Sequence, residues 1–205
     1  MVPVAWSEGR RFSVPIPPDE KDRLRDLRRY EVLDTSPDES LDHLAQLAAR
    51  LCETPMALIS LVDADRQWFK AKVGIDLEET PRDLAFCAHA ILKRGVFEVP
   101  DARRDERFAD NPLVISDPGI RFYAGETLVT PENHAIGTLC VMDRVPRKLS
   151  AEQEAGLRVL AEQVMAQFEL RRQLLEARAA LRASRREVKK LRNQLNLLTS
   201  TQRKK

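Results

Sequence analysis

Strands that follow one another along the chain, bracketed by helices and trailed by one long helix, place this sequence in the α+β class. Three observations carry that reading. Residues 120–129 and 135–142 are apolar runs on either side of a short connection holding Pro131 and Asn133, the pattern of a β-hairpin with a longer loop. Met56–Val62 (MALISLV), the turn Asp63-Ala64-Asp65 and residues 67–73 form a second strand–turn–strand unit closed by Gly74. From Ser150 to Lys205 there is no proline and one glycine, Gly156, so a helix can run to about Leu198.

Taken in order, residues 1–18 hold Pro3, Pro15, Pro17 and Pro18 and no periodicity, and read as a mobile arm. From Asp19 the chain opens with acids and closes with arginines, matching a helix dipole, with Leu24, Leu27 and Tyr30 on one stripe. Ser36 is the expected N-cap of the next helix, with Pro37 in its first turn and Glu39 three residues on. Leu41, Leu44, Leu47, Ala48 and Leu51 mark the side it buries, and Pro55 ends it.

Met56–Val62 is continuously apolar, as a central strand would be. Residues 67–73 carry Gln67, Lys70 and Lys72 and should lie at an edge. A short helix over 84–92 and a brief strand over 96–99 follow. Residues 101–118 are polar and turn-rich, and a connection of that length in a compact domain is usually functional or mobile. In the hairpin's second run both alternate sets are apolar or small, so it belongs mid-sheet. In the first run Glu126 interrupts the phase of Ile120, Phe122, Ala124 and Leu128, and Gly125 could host a bulge that re-aims it. Ser150 and Gln153 form a capping box for the last helix. Leu157, Leu160, Val164 and Phe168 or Gln167 give it a face to pack on the sheet or on a twin helix. Leu174, Leu181, Val188 and Leu195, followed three later by Ala177, Ser184, Leu191 and Leu198, then give a coiled-coil seam.

The 205 residues accommodate one domain and an appendage, and 32% charged residues require part of the chain to be strongly solvated. No apolar run reaches a membrane span and no signal-peptide core follows the N-terminus, so the expected setting is cytoplasmic. Cys52, Cys87 and Cys140 are dispersed and read as buried reduced thiols rather than a disulfide framework or a zinc site. Charge is segregated. Residues 171–205 carry twelve basic side chains against two acidic, a net +10, which leaves −8 on the first 170.

Residues 57–92, 99–114 and 119–153, in that order and spacing, resemble the GAF domain family over about residues 30–170. The resemblance implies an antiparallel sheet of five or six strands with helices on one face and a ligand cavity roofed by loops on the other. It gives an organisation of arm (1–18), GAF-like sensory domain (19–170) and basic coiled-coil tail (171–205). The subfamily resembled often sits ahead of histidine kinase or diguanylate cyclase domains.

The expected pocket wall draws on Trp68, Phe69, Phe86, Cys87, His89, Asp110, Asn111, Arg121 and Tyr123, aromatic walls with a few polar groups. No cofactor or metal is assigned, and no catalytic set. Relatives that reduce free methionine sulfoxide use several cysteines, whereas here only Cys87 falls near such a position. Relatives that carry bilins attach them through a cysteine followed directly by histidine, and here Ala88 separates Cys87 from His89. The expectation is therefore a non-enzymatic module that senses an unidentified small molecule and signals through a homodimeric C-terminal helix. The alternatives are a basic tail that binds nucleic acid or an acidic partner, and thiol redox chemistry at Cys87.

Overall fold

Helices α1 (Glu20–Arg29) and α2 (Glu39–Leu51) lead into strands β1 (Met56–Val62) and β2 (Arg66–Val73) of the computed structural model, which describes residues 12–202 and their side chains as far as Asn193. Strand β3 (Glu79–Pro81), a 3₁₀ turn (Arg82–Leu84), α3 (Phe86–Ala90) and β4 (Phe97–Val99) follow. A second 3₁₀ turn (Ala102–Arg104) and α4 (Pro112–Ile115) give structure to the long connection. The hairpin β5 (Phe122–Val129) and β6 (Ala135–Asp143) then precedes α5 (Ala151–Gln202). The chain divides into a compact unit ending at Gln167 and a second unit beginning at Phe168.

Six strands make one antiparallel sheet in the order β3-β2-β1-β6-β5-β4. Strand β6 lies mid-sheet, as its two apolar faces require, and all nine of its residues are buried. Strand β2 is not the edge, because the three residues of β3 cover it. A strand so short carries no periodic signal. Cross-strand register sets the faces. Leu58, Cys140 and Gly125 align across β1, β6 and β5, as do Ser60, Thr138 and Thr127. That set faces α3 and the loops. The alternate set, including Ala57, Ile59, Leu139, Val141 and Ala124, faces α1, α2 and the first turns of α5.

Several local expectations shift by a residue or two. Asp38 rather than Ser36 caps α2: its Oδ1 accepts from the Ser40 amide at 3.1 Å. The side of α2 that packs holds Leu41, Ala45, Ala48 and Ala49, while Leu47 is half exposed, because small residues let the helix approach the sheet closely. The capping box of α5 is present: Ser150 N–H donates to Gln153 Oε1 at 3.0 Å and Gln153 N–H to Ser150 Oγ at 3.2 Å. Leu157, Leu160 and Val164 are buried as the packing face of its first turns. Gly125 sits in regular register and hosts no bulge. The irregularity falls between Leu128 and Val129. Of the expected arm, residues 1–11 lie outside the described residues, and Phe12 and Val14 pack against the core.

Buried ion pairs tie α1 to the sheet. Glu20 accepts from Arg23 Nε at 2.8 Å and from Arg82 Nη1 at 2.5 Å, and Arg82 also donates to the Asp63 carbonyl at 3.0 Å. Burial acts to raise the Glu20 carboxyl, but the two guanidinium groups outweigh it and hold its pKa down at about 2, against an ordinary 4.5. Asp26 is lowered likewise: burial opposes ionisation, and hydrogen bonds from His134 and Arg29 overcome it. Folded-state values below the unfolded ones contribute stability that is complete above pH 4.5 and lost as pH falls towards 2. Urea titrations across that window should show the loss in the wild type and a shallower slope for Glu20→Gln. An identical slope would separate Glu20 from acid unfolding.

Candidate functional site

The face of the sheet away from α1 and α2 is roofed by α3, the β2–β3 connection and the segment around α4. Phe86 of α3 stacks on Phe108 with centroids 4.0 Å apart and on Tyr123 of β5 at 5.2 Å. Phe97 meets Tyr123 at 6.0 Å, and His89 stands edge-on to Phe108 at 4.9 Å. These rings fill most of the space between roof and sheet. What remains is a partly open space of about 20 Å³, room for one water-sized molecule, lined among others by Leu58, Gln67, Phe69, Thr80, Cys87 and Tyr123. Gln67 Oε1 and Thr80 Oγ1 are buried at this space and have no hydrogen-bond partner in the protein. Unpartnered buried polar atoms are costly and call for a ligand or a water.

Beside this space lies a buried cluster of thiols and hydroxyls. Cys87 Sγ and Cys140 Sγ are 3.8 Å apart. Tyr123 Oη donates to Cys87 Sγ at 3.3 Å and lies 3.5 Å from Thr138 Oγ1, which is 3.2 Å from Ser60 Oγ. All five residues are essentially inaccessible to solvent. Burial works against ionisation of Cys87, but hydrogen bonds from Cys140, Ser60, Thr138 and Tyr123 bring its thiol down to about 7. Burial and then the neighbouring Cys87 push the Cys140 thiol up. Burial and the two sulfurs likewise raise the Tyr123 phenol.

Of the nine residues expected to form the pocket wall, Phe69, Phe86, Cys87 and Tyr123 line the enclosed space. Trp68 does not: its register partner Leu61 belongs to the helix-facing set, and its ring lies 6.0 Å from Lys70 Nζ, which binds Thr35 and Ser36. Successive strand residues point to opposite faces, so Trp68 and Phe69 cannot share a pocket. His89 packs on Phe108, where burial, then Arg107, lower its pKa. Asp110 is exposed. Asn111 caps α4, accepting from the Leu113 amide and donating to the Leu84 carbonyl, both at 2.9 Å. Arg121 donates to the Val114 carbonyl at 2.5 Å and ties the loop to β5. Gln67 and Thr80 were missed. Gln67 was legible as the residue in phase with Phe69, whereas Thr80 lies on the short β3, which no pattern marks.

This architecture defines a class: an α+β domain whose antiparallel sheet carries helices on one face and a roofed interior space on the other. The chain belongs to the GAF domain family, whose profile matches residues 36–168. It is 46% identical over 143 residues to a cyclic di-GMP phosphodiesterase of Pseudomonas aeruginosa, a match covering 70% of this chain and 24% of that protein. The chain thus spans about a quarter of that relative's length. Among solved structures it is similar to the GAF domain of an Acinetobacter phosphoenolpyruvate-protein phosphotransferase (TM-score 0.55, 17% identity, 76% of this chain and 96% of that one). It is similar also to the free methionine-R-sulfoxide reductase of Neisseria meningitidis in complex with its substrate (TM-score 0.55, 19% identity, 80% of this chain and 99% of that one). At these identities the likeness is one of fold. Among the described residues no helix is long and apolar enough to cross a membrane, and no three or more His, Cys, Asp or Glu side chains gather as a metal-binding group.

Replacing Tyr123 by Phe keeps the ring stack and removes the hydroxyl. The expected cost is about 1 kcal/mol of stability, with a rise in the Cys87 pKa, followed by the ultraviolet absorbance of the thiolate as pH is raised. An unchanged titration would show that the phenol does not support the thiolate.

Proposed function

We propose that this chain is a non-enzymatic, cytoplasmic regulatory module that senses a small molecule at the roofed face and passes the bound state along α5 to a dimerising helix. The observation that carries the reading is the pair Gln67 Oε1 and Thr80 Oγ1, buried without partners at an otherwise apolar space. A ligand larger than one water enters by displacing the roof residues Ile75 and Leu77, and its binding free energy then distinguishes open from closed roof. The match to a quarter of a cyclic di-GMP phosphodiesterase supports a role as a controlling segment of a larger protein. In the second unit Leu174, Leu181, Val188 and Leu191 repeat along one side of the helix and are all at least half exposed. Such a stripe is suited to a parallel copy of itself. Leu195 and Leu198, which continue the seam, lie outside the described side chains.

Native mass spectrometry of the gently purified protein tests both halves. A dimer carrying retained small-molecule mass is expected, with Leu174→Glu/Leu181→Glu reducing it to monomer. A bare monomeric wild type would overturn the reading.

A second reading concerns the tail. Arg178, Arg182, Arg185, Arg186, Lys189, Lys190 and Arg192 are exposed on the same helix, a surface suited to a polyanion. Without base-reading groups the binding would be independent of sequence. Affinity for a duplex oligonucleotide should fall by about 10³-fold or more between 50 and 200 mM salt, and affinity that survives would count against a phosphate-backbone contact.

A further inference from the structure

We propose that Cys87 and Cys140 form an oxidisable dithiol, a modification site at which hydrogen peroxide drives an intramolecular disulfide between α3 and the central strand β6. The inference rests on the placement of the sulfurs and does not depend on whether the enclosed space holds a ligand.

The two sulfurs lie 53 positions apart in the chain, yet they stand 3.8 Å from one another. A disulfide needs ~2.05 Å, so closure requires the two sulfurs to approach by roughly 1.75 Å. Cys140 is fixed at the middle of the sheet by partners on both sides, Leu58 and Gly125. Cys87 lies in a five-residue helix held by side-chain packing, and it supplies the movement.

Their environments assign the roles. Cys87 lines the enclosed space and receives the Tyr123 hydroxyl at 3.3 Å, which stabilises its thiolate. Cys140 lies behind it and does not line that space. The space is small, about 20 Å³, so hydrogen peroxide reaches Cys87 with far less displacement of the roof than a bulky organic hydroperoxide requires. Cys52, at the C-terminal end of α2, has no such partner thiol, and burial pushes it up to about 11.

The step balances as follows. The Cys87 thiolate attacks one peroxide oxygen. The O–O bond breaks, the other oxygen leaves as hydroxide and takes up the thiol proton as water, and Cys87 becomes a sulfenic acid. Cys140 sulfur then attacks Cys87 sulfur. The S–S bond forms, the S–O bond breaks, and the departing hydroxide takes the Cys140 proton as a second water. Two thiols have given two electrons to one peroxide.

The experiment is intact-mass thiol counting on the full chain, with alkylation after denaturation. The reduced protein should take three alkyl groups. After hydrogen peroxide it should take one, on Cys52, with the mass of a single chain less two hydrogens and a proteolytic fragment joining Cys87 to Cys140. In Cys140→Ser the disulfide is lost and Cys87 is trapped as a sulfenic acid by dimedone. Cumene hydroperoxide should oxidise the wild type at least about tenfold more slowly. Three alkyl groups after peroxide, a bridge to Cys52, or a bridge between chains would each overturn the proposal. Because the count is made on the wild type, a misfolded variant cannot decide it. Equal rates with the two peroxides would overturn the enclosed space as the access route.

Discussion

Where the Tyr123 ring lies governs the interior of this domain. The chain turns the ring back over Gly125, where an added Cβ would stand 2.4 Å from the phenolic oxygen and 3.1 Å from Cys140 Cβ. Only a residue without a side chain leaves that space. With the ring there, Phe86 can stack on it, Phe108 can stack on Phe86, and the hydroxyl can reach Cys87 and Thr138 together. A roof, an interior space of one water and a hydrogen-bonded thiol all depend on one glycine in a strand.

The opposite face is held by different physics. There α1 is tied down through charge: Arg23, Glu20 and Arg82 form a chain that ends on backbone carbonyls of the β1–β2 turn. His134 Nδ1 meets Asp26 Oδ2 at 2.5 Å, joining α1 to the hairpin loop. Removing one partner from such a network leaves a buried charge, so these contacts specify where the helix sits more than they add net stability. Glu126, on this face, is raised by its burial and has Arg158 of α5 at 3.7 Å.

The two faces divide the labour. The charged one fixes helices to the sheet, and the aromatic one surrounds a small space lined by polar atoms and a thiol, with Ile75 and Leu77 in its wall. A ligand and an oxidant would approach the same wall, since Cys87 lines the space that Gln67 and Thr80 share. Helix α3, which carries Cys87, packs directly against β5 and β6.

Much of the fold was legible from local rules. The hairpin, the central position of β6, the capping box at Ser150 and Gln153 and the run of α5 follow from patterns read along contiguous stretches of chain. Charge segregation is likewise a property of the chain alone. The site was only half legible. Phe69, Phe86, Cys87 and Tyr123 face inward as expected, whereas Asn111 and Arg121 spend their polar atoms on backbone groups and Trp68 faces the other layer. By itself the sequence determined the longer strands and helices, because those depend on neighbours along the chain, but not the three residues of β3 or the short α4. Tertiary structure decided that Cys87 meets Cys140, that Tyr123 covers Gly125 and that the interior space is small. Those outcomes are set by strand register and by the packing of rings from distant segments, and neither leaves a trace in local periodicity.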